Sequence, residues 1–324
     1  MTVTITYHAA GLKCPACGSD TWKEDQQSIR CLSCEATYTI DEGVLRMDAS
    51  GKSDDITQLY SAMGGTHFVD TSFESNPLIY ITTRAYRRFI EKHFSQATGS
   101  LMDFGCGDGR FSLWAAERSF STVVAVDSNL PSLKRLASEA RTRKLEQVVV
   151  VCADLKNPPF KRDYFDAVLC VEVLYYLIPS LGRAGALQAP SNLLSKNGKM
   201  VLSEFSRFGR AIIDLDAMDI TNARSLIATS HRWEKFGDMR IESYQWSVSE
   251  LRSDLSSVHL KIIDEAGVSL AAPLFSYAWN FTSYPLRPRL DADLRTVIET
   301  ICDNTDAAID ATRNVVFALE KNDK

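Results

Sequence analysis

Between residues 100 and 205 the chain alternates short, almost wholly apolar runs with longer amphipathic stretches. The runs at 101–104, 123–127, 147–151, 164–171 and 200–204 are too short for stable helices and rich in valine, leucine and phenylalanine. Runs of that length and composition read as strands buried on both faces. Amphipathic segments between them supply the crossovers, so the pattern predicts an α/β fold built on a parallel sheet. The alternation continues in the C-terminal third. Ser247 with Glu250 in the first turn marks a capped helix start, leading to a sixth strand at 259–264 and a last one at 314–319. A helix is expected over 84–94, with apolar positions on one side, and another from 291 to about 309. Residues 206–246 and 271–310 stand as insertions, the second carrying Phe275, Tyr277, Trp279, Phe281 and Tyr284 among prolines. Such aromatic insertions suit an apolar pocket for a small organic molecule.

Composition narrows the class. Hydrophobic residues make up 45% and charged ones 24%, ordinary values for a globular protein. No apolar run is long enough to cross a bilayer, and residues 1–7 lack the basic-then-apolar form of a signal peptide. The expectation is a cytoplasmic protein with no membrane partner. A net charge of −5 argues against nucleic acid as the partner, because neutralising phosphates supplies much of that affinity.

The chemistry concentrates where the first strand ends, at Asp103-Phe104-Gly105-Cys106-Gly107-Asp108-Gly109, and where the second ends, at Asp127. Gly105, Gly107 and Gly109 let the backbone approach a ligand closely. An acid at the end of the second strand can take both hydroxyls of a ribose. The G-x-G-x-G spacing differs from the G-x-G-x-x-G of dinucleotide sites, and Asp103 and Asp108 flank the turn. Two carboxylates are poor neighbours for a pyrophosphate and good ones for a cation, such as an aminoacyl sulfonium. This set resembles motif I of the class I S-adenosylmethionine (SAM) methyltransferases. The resemblance implies a Rossmann-like seven-stranded sheet whose final strand is antiparallel and inserted beside the sixth. It also implies that Asp103 sits by the methionine ammonium of SAM and Asp127 holds the ribose. Asp154 would meet the adenine amino group, with the backbone N–H of Leu155 at the ring. The segment from Glu172 to Leu177 resembles the floor of the active site in these enzymes. Tyr60, His67, Phe68, Phe73, Tyr80 and Arg84 are of the types that cover SAM in related proteins, with Arg84 the first choice for its carboxylate.

Ahead of this domain stand Cys14-Pro15-Ala16-Cys17 and Cys31-Leu32-Ser33-Cys34, a CxxC pair at zinc-ribbon spacing. Two such turns brought together by a hairpin offer four thiolates to one ion. A closed four-sulfur site has no open position, so Cys14, Cys17, Cys31 and Cys34 read as a structural zinc site; an iron centre or a redox dithiol is the alternative. Lys13, Lys23, Arg30 and Arg46 are outnumbered by Asp20, Glu24, Asp25, Glu35, Asp41, Glu42 and Asp48, so this ribbon is a poor RNA clamp. It is expected to pack on the catalytic domain or to cover the substrate. The organisation expected is a ribbon over 1–50, a helical lid or linker over 51–98, and the SAM domain over 99–324.

Methyl transfer from a sulfonium is an in-line displacement, and a base is needed only if the nucleophile carries a proton that must leave. Candidate bases are Glu172, His67 and His231. A catalytic metal is not expected, since Glu172 and Glu204 lack the Asp-Asn pair of metal-dependent relatives; Asp214, Asp216 and Asp219 read as the exposed face of a helix. The fourth-strand segment lacks the Pro-Pro-aromatic pattern of base amino methylation, and Cys170, without an adjacent proline, is expected to face the core. The leading reading is methyl transfer to an O or N atom of a small-molecule acceptor. RNA methylation with the ribbon as docking module is the runner-up, and a non-catalytic SAM-binding protein the third. Oligomeric state is left open.

Overall fold

A computed structural model describes residues 7–48, 58, 77–236, 239–268 and 312–322. In chain order the strands and helices are β1 (Trp22–Glu24), β2 (Ser28–Cys31), β3 (Thr37–Asp41), β4 (Val44–Arg46), α1 (Pro77–Phe94), β5 (Ser100–Phe104), α2 (Arg110–Ala116), β6 (Thr122–Asp127), α3 (Leu130–Thr142), β7 (Val148–Cys152) and β8 (Phe165–Val171). They continue with α4 (Leu174–Ser191), β9 (Leu194–Phe205), α5 (Arg207–Asp216), α6 (Ile220–Thr229), β10 (His231–Phe236), β11 (Met239–Tyr244), α7 (Val248–Ser257), β12 (Leu260–Val268) and β13 (Asn314–Lys321).

The expected seven strands lie side by side in the order β7-β6-β5-β8-β9-β13-β12. From β7 to β9 the neighbours are parallel, and β13 runs antiparallel between β9 and β12. The sheet does not stop there. Among the described residues it has 11 strands, because β4 pairs parallel with β7 and carries β3, β2 and β1 beyond it. The cysteine-bearing segment is therefore an extension of the main sheet. Its contact is also a packed one: Lys13 donates its N–H to Pro159 and Lys161 to Gly11, at 2.9 and 2.7 Å. Tyr7, Leu12, Trp22, Leu45 and Met47 share a core with Phe160 and Phe165.

Alternation along the strands divides the core. Met102, Phe104, Val124 and Val126 point to one side, with α4, α7 and the ribbon. Leu101, Val123 and Ala125 point to the other, with α1, α2 and α3. Cys170 is fully buried, as expected. Ser247 caps α7 in a reciprocal box with Glu250.

Three expectations change. The fifth strand, expected over 200–204, starts at Leu194 and runs through Asn197 and Gly198, and its register against β8 shifts between Phe165 and Ala167. Asp214 does not sit on an exposed helix face: it is 2% exposed, held by Arg232. Asp219 caps α6 through the Asn222 N–H, while the side chain of Asp216 lies outside the described set. The outward positions of this pair of helices are instead aliphatic, with Ile212, Leu215, Met218 and Ile227 exposed. The bidentate bonds from Arg232 offset the desolvation that burial costs Asp214. The aromatic segment 271–288, the helix expected over 291–309, and Tyr60, His67, Phe68 and Phe73 lie outside the described residues.

Candidate active site

A cavity of about 370 Å³ opens where β5, β6, β7, β8 and β9 end, and Asp103, Gly105, Gly107, Asp108, Asp127, Asp154, Leu155 and Glu172 line it. Ligands of open parallel sheets bind at that edge, outside the carboxyl ends of the strands. The turn after β5 is fixed by its glycines. Gly105 has φ 75°, and a Cβ there would lie 2.4 Å from Val173 Cγ2. Gly109, with φ 83° at the start of α2, would meet Leu136 Cδ1 at 2.2 Å. Neither position admits a side chain without moving its neighbour.

Asp127 is tied into this turn from both sides. Its Oδ2 accepts the N–H of Gly107 at 2.9 Å and its Oδ1 that of Asn129 at 2.8 Å. The backbone N–H of Ser128 bonds to this carboxylate as well. Asp103, 3% exposed, accepts from Ser112 Oγ at 2.5 Å, and burial pushes its pKa up to about 6. Asp154 accepts the N–H of Lys156 at 2.9 Å. Asp108 departs from the expected cation-facing role: it pairs with Arg135 at 2.7 Å, so only its partner across the turn, Asp103, has no such ion pair.

Glu172 follows β8 with φ 59°, a backbone conformation costly for a side-chain-bearing residue. Its Oε1 accepts from Tyr86 Oη at 3.0 Å and Asn314 Nδ2 at 3.2 Å. Tyr86 is itself 2.7 Å from Ser203 Oγ. Glu204 is a helix cap: it accepts from the N–H groups of Val173, Leu174 and Tyr175 at 3.3, 2.8 and 3.2 Å. Burial outweighs those donors and raises its pKa to about 8.

The remaining candidates lie elsewhere. Arg84 is on an exposed position of α1 and does not line the cavity; Arg110 does, hydrogen-bonded to Thr83 Oγ1 at 3.3 Å and 4.5 Å above the Phe111 ring. His231 also lies off the cavity, paired with Glu242 at 2.7 Å and edge-on to Tyr244. His67 lies outside the described residues. Of the three candidate bases, Glu172 is the one the structure puts on the cavity wall. Its far end is walled by Tyr175, Tyr176 and Phe205, with Arg210, Glu234 and Arg313. The sequence held a signal for Arg110, adjacent to the last glycine of the turn. It held none for Arg210 or Arg313, which tertiary folding brings from separate segments.

The four cysteines converge. The Sγ atoms of Cys14, Cys17, Cys31 and Cys34 all lie within 4.8 Å of one another, with Cys14–Cys34 and Cys17–Cys31 at 3.6 Å. A tetrahedral four-thiolate zinc site needs sulfurs about 3.8 Å apart. The donor set and spacing fit that ion.

Known proteins agree with the fold. Residues 102–202 match the sequence profile of a family described as a methyltransferase domain. The chain is 33% identical over 119 residues to nocamycin O-methyltransferase of Saccharothrix syringae, covering 36% of this chain and 41% of that one. It is 26% identical over 125 residues to ribosomal protein L11 methyltransferase of Thermosipho melanesiensis, covering 39% and 45%. The chain thus spans less than half the length of either curated relative. Among solved structures, an S-adenosylmethionine-dependent methyltransferase from Clostridium acetobutylicum superposes with a TM-score of 0.52 at 14% identity, covering 82% of this chain and all of that one. Residues 102–202 thus carry a methyltransferase domain, on a fold shared with a SAM-dependent methyltransferase, and a four-cysteine cluster stands ahead of them.

Proposed function

We propose that this protein transfers the methyl group of SAM to an O or N atom of a small-molecule acceptor. The observation that carries the reading is continuity. One cavity joins the glycine turn and Asp127 to an aromatic-walled end formed by Tyr175, Tyr176 and Phe205. SAM supplies an electrophilic methyl group on a positive sulfur. Asp127 offers its carboxylate to the ribose hydroxyls, Asp103 faces the ammonium, and Asp154 with the Leu155 N–H meets the adenine. Arg110 takes the carboxylate role first expected of Arg84. The turn at Gly105 and Gly107 lets the backbone lie against the amino-acid portion.

For the displacement, the aromatic walls align the nucleophile and exclude water. Glu172 accepts a proton where the nucleophile carries one; its two donors and fixed backbone hold it in place for that task. Zinc bound by Cys14, Cys17, Cys31 and Cys34 would brace the ribbon, with no part in the reaction. None of the described ribbon residues lines the cavity, which supports a structural role for the module.

The test incubates purified protein with methyl-labelled SAM and an extract divided into RNA and low-mass metabolites. Label in the low-mass fraction is the expected result. Label that RNase removes would replace the reading with RNA methylation. Tight S-adenosylhomocysteine binding with no label in either fraction would favour a binding protein.

A further inference from the structure

The far end of the cavity carries a charge imbalance that SAM binding does not use. Three guanidinium groups, from Arg210, Arg232 and Arg313, gather near two carboxylates, Asp214 and Glu234. Arg232 engages both acids: its Nε lies 2.9 Å from Asp214 Oδ2, its Nη2 3.1 Å from Asp214 Oδ1, and its Nη1 2.9 Å from Glu234 Oε1. Glu234 also accepts from Tyr176 Oη at 3.0 Å. Arg210 is left with a long contact of 3.7 Å to Asp214, and Arg313 has no ion pair among the described residues. The Nε of each is buried and has no hydrogen-bond acceptor. Both guanidinium groups lie over the ring of Phe205, at 5.1 and 5.3 Å from its centre.

A buried cation without a counter-charge is costly, and proteins seldom keep one without use. Burial, with Arg232 and Arg313 close by, pushes the Arg210 pKa below its usual value. Asp214 and Glu234 act against that shift without cancelling it, and both are already engaged by Arg232. Arg110, beside Thr83 and Phe111 on the cavity wall, is the arginine assigned above to the carboxylate of SAM itself. The Arg210 and Arg313 pair sits instead against the aromatic wall, where the acceptor would bind.

We propose that the methyl acceptor is an organic anion whose carboxylate or phosphate is gripped by Arg210 and Arg313, with its body against Phe205, Tyr175 and Tyr176. The inference rests on the methyltransferase reading above and adds the charge class of its acceptor. Guanidinium groups present paired N–H donors that match either anion, so they orient the acceptor as well as attract it. The anionic group is the handle; the methylated atom lies elsewhere on the molecule, toward the glycine turn.

The test uses calorimetry on protein saturated with S-adenosylhomocysteine, titrated with benzoate, inorganic phosphate and the neutral isostere benzamide. At least one anion is expected to bind about tenfold or more tightly than benzamide, and which one binds distinguishes an acid from a phosphate ester. Arg313→Met, which keeps length and apolar contact, should weaken that anion about tenfold while S-adenosylhomocysteine affinity moves by less than about threefold. Arg210→Met should act the same way, but Arg210 also lies beside Asp214, so Arg313→Met is the deciding variant. Equal binding of benzamide, binding of neither anion, or an unchanged anion affinity in Arg313→Met would overturn the proposal. A loss of S-adenosylhomocysteine affinity in Arg313→Met would overturn it too, by assigning the arginine to SAM. Failure of the unmodified protein to bind S-adenosylhomocysteine at all would instead strike the methyltransferase reading itself.

Discussion

Replacing Asp127 with alanine tests the cofactor assignment most directly. In the structure its carboxylate lines the cavity and accepts backbone N–H groups from Gly107, Ser128 and Asn129. Two ribose hydroxyls donating to this carboxylate would make two charge-assisted hydrogen bonds. At about 1.5–3 kcal/mol each, their loss costs about 3–6 kcal/mol, or roughly two to four orders of magnitude in affinity. The variant also strips Gly107 and Asn129 of their acceptor, so a disturbed turn could mimic a lost ligand contact. A ligand-side deletion separates the two. Calorimetry with S-adenosylhomocysteine and its 2′-deoxy analogue, on both proteins, closes a double-mutant cycle. The missing hydroxyl should cost the unmodified protein about 1.5–3 kcal/mol and the Asp127→Ala protein almost nothing. An Asp127→Ala affinity within about threefold of the original would refute the reasoning. So would an equal cost of the deoxy analogue in both proteins, because the carboxylate would then not be the group that reads the ribose.

Burial of Asp103 and the metal fit of the cysteines each carry a further prediction. Burial pushes the Asp103 pKa from 3.8 up to about 6, and the ammonium of SAM needs that carboxylate ionised. S-adenosylhomocysteine affinity should therefore rise as pH increases through about 6, and Asp103→Asn should flatten the profile; a pH-independent affinity in the unmodified protein would sink the assignment. Without ligand the sign reverses for stability. The native state holds this proton more tightly than the unfolded chain, so the contribution is full below pH 3.8 and is lost as pH rises through 6. That loss amounts to about 3 kcal/mol, readable as a falling melting temperature that Asp103→Asn abolishes. For the cysteine cluster, elemental analysis should find one zinc per chain, and Cys14→Ser should lose it together with solubility or melting temperature. A metal-free Cys14→Ser protein that melts like the original would remove the zinc assignment.

Much of the core was legible because its signals are local. The runs from Leu101 to Glu204 fall on β5 to β9, and Asp103, Gly105, Asp127, Asp154 and Glu172 come together on one cavity because each ends or follows a strand. Fixed topology turns such positions into neighbours without further information. What was not legible depends on tertiary placement. Arg84 and Arg110 are both basic residues near the motif, and which of them turns inward is decided by the packing of α1 and α2. Asp214 reads as a surface acid until Arg232, from β10, is seen beside it. Asp108 reads as a ligand for a cation until α3 brings Arg135 against it. In each case the partner lies in another element, and a charge pair between separate segments leaves no periodicity to detect.

The cysteine module poses a separate question, and the strand order answers it better than its charge does. β7 is Val148-Val149-Val150-Val151-Cys152, buried along its whole length. With nothing beside it, such a strand would end the sheet as a flat apolar edge with unpaired backbone groups, the kind that recruits other chains. β4 prevents this: Val44, Leu45 and Arg46 register against Val150, Val151 and Cys152, and Met47 N–H reaches the Cys152 carbonyl at 2.8 Å. β4 has only three residues, too few to hold a conformation alone. Its order comes from its buried Val44 and Leu45, from Lys134 and Arg141 of α3 on the turn at Asp41 and Glu42, and, through β3 and β2, from the segment the four cysteines draw together. A metal at that cluster would thus help to cover β7, three places along the same sheet from β2, which carries Cys31.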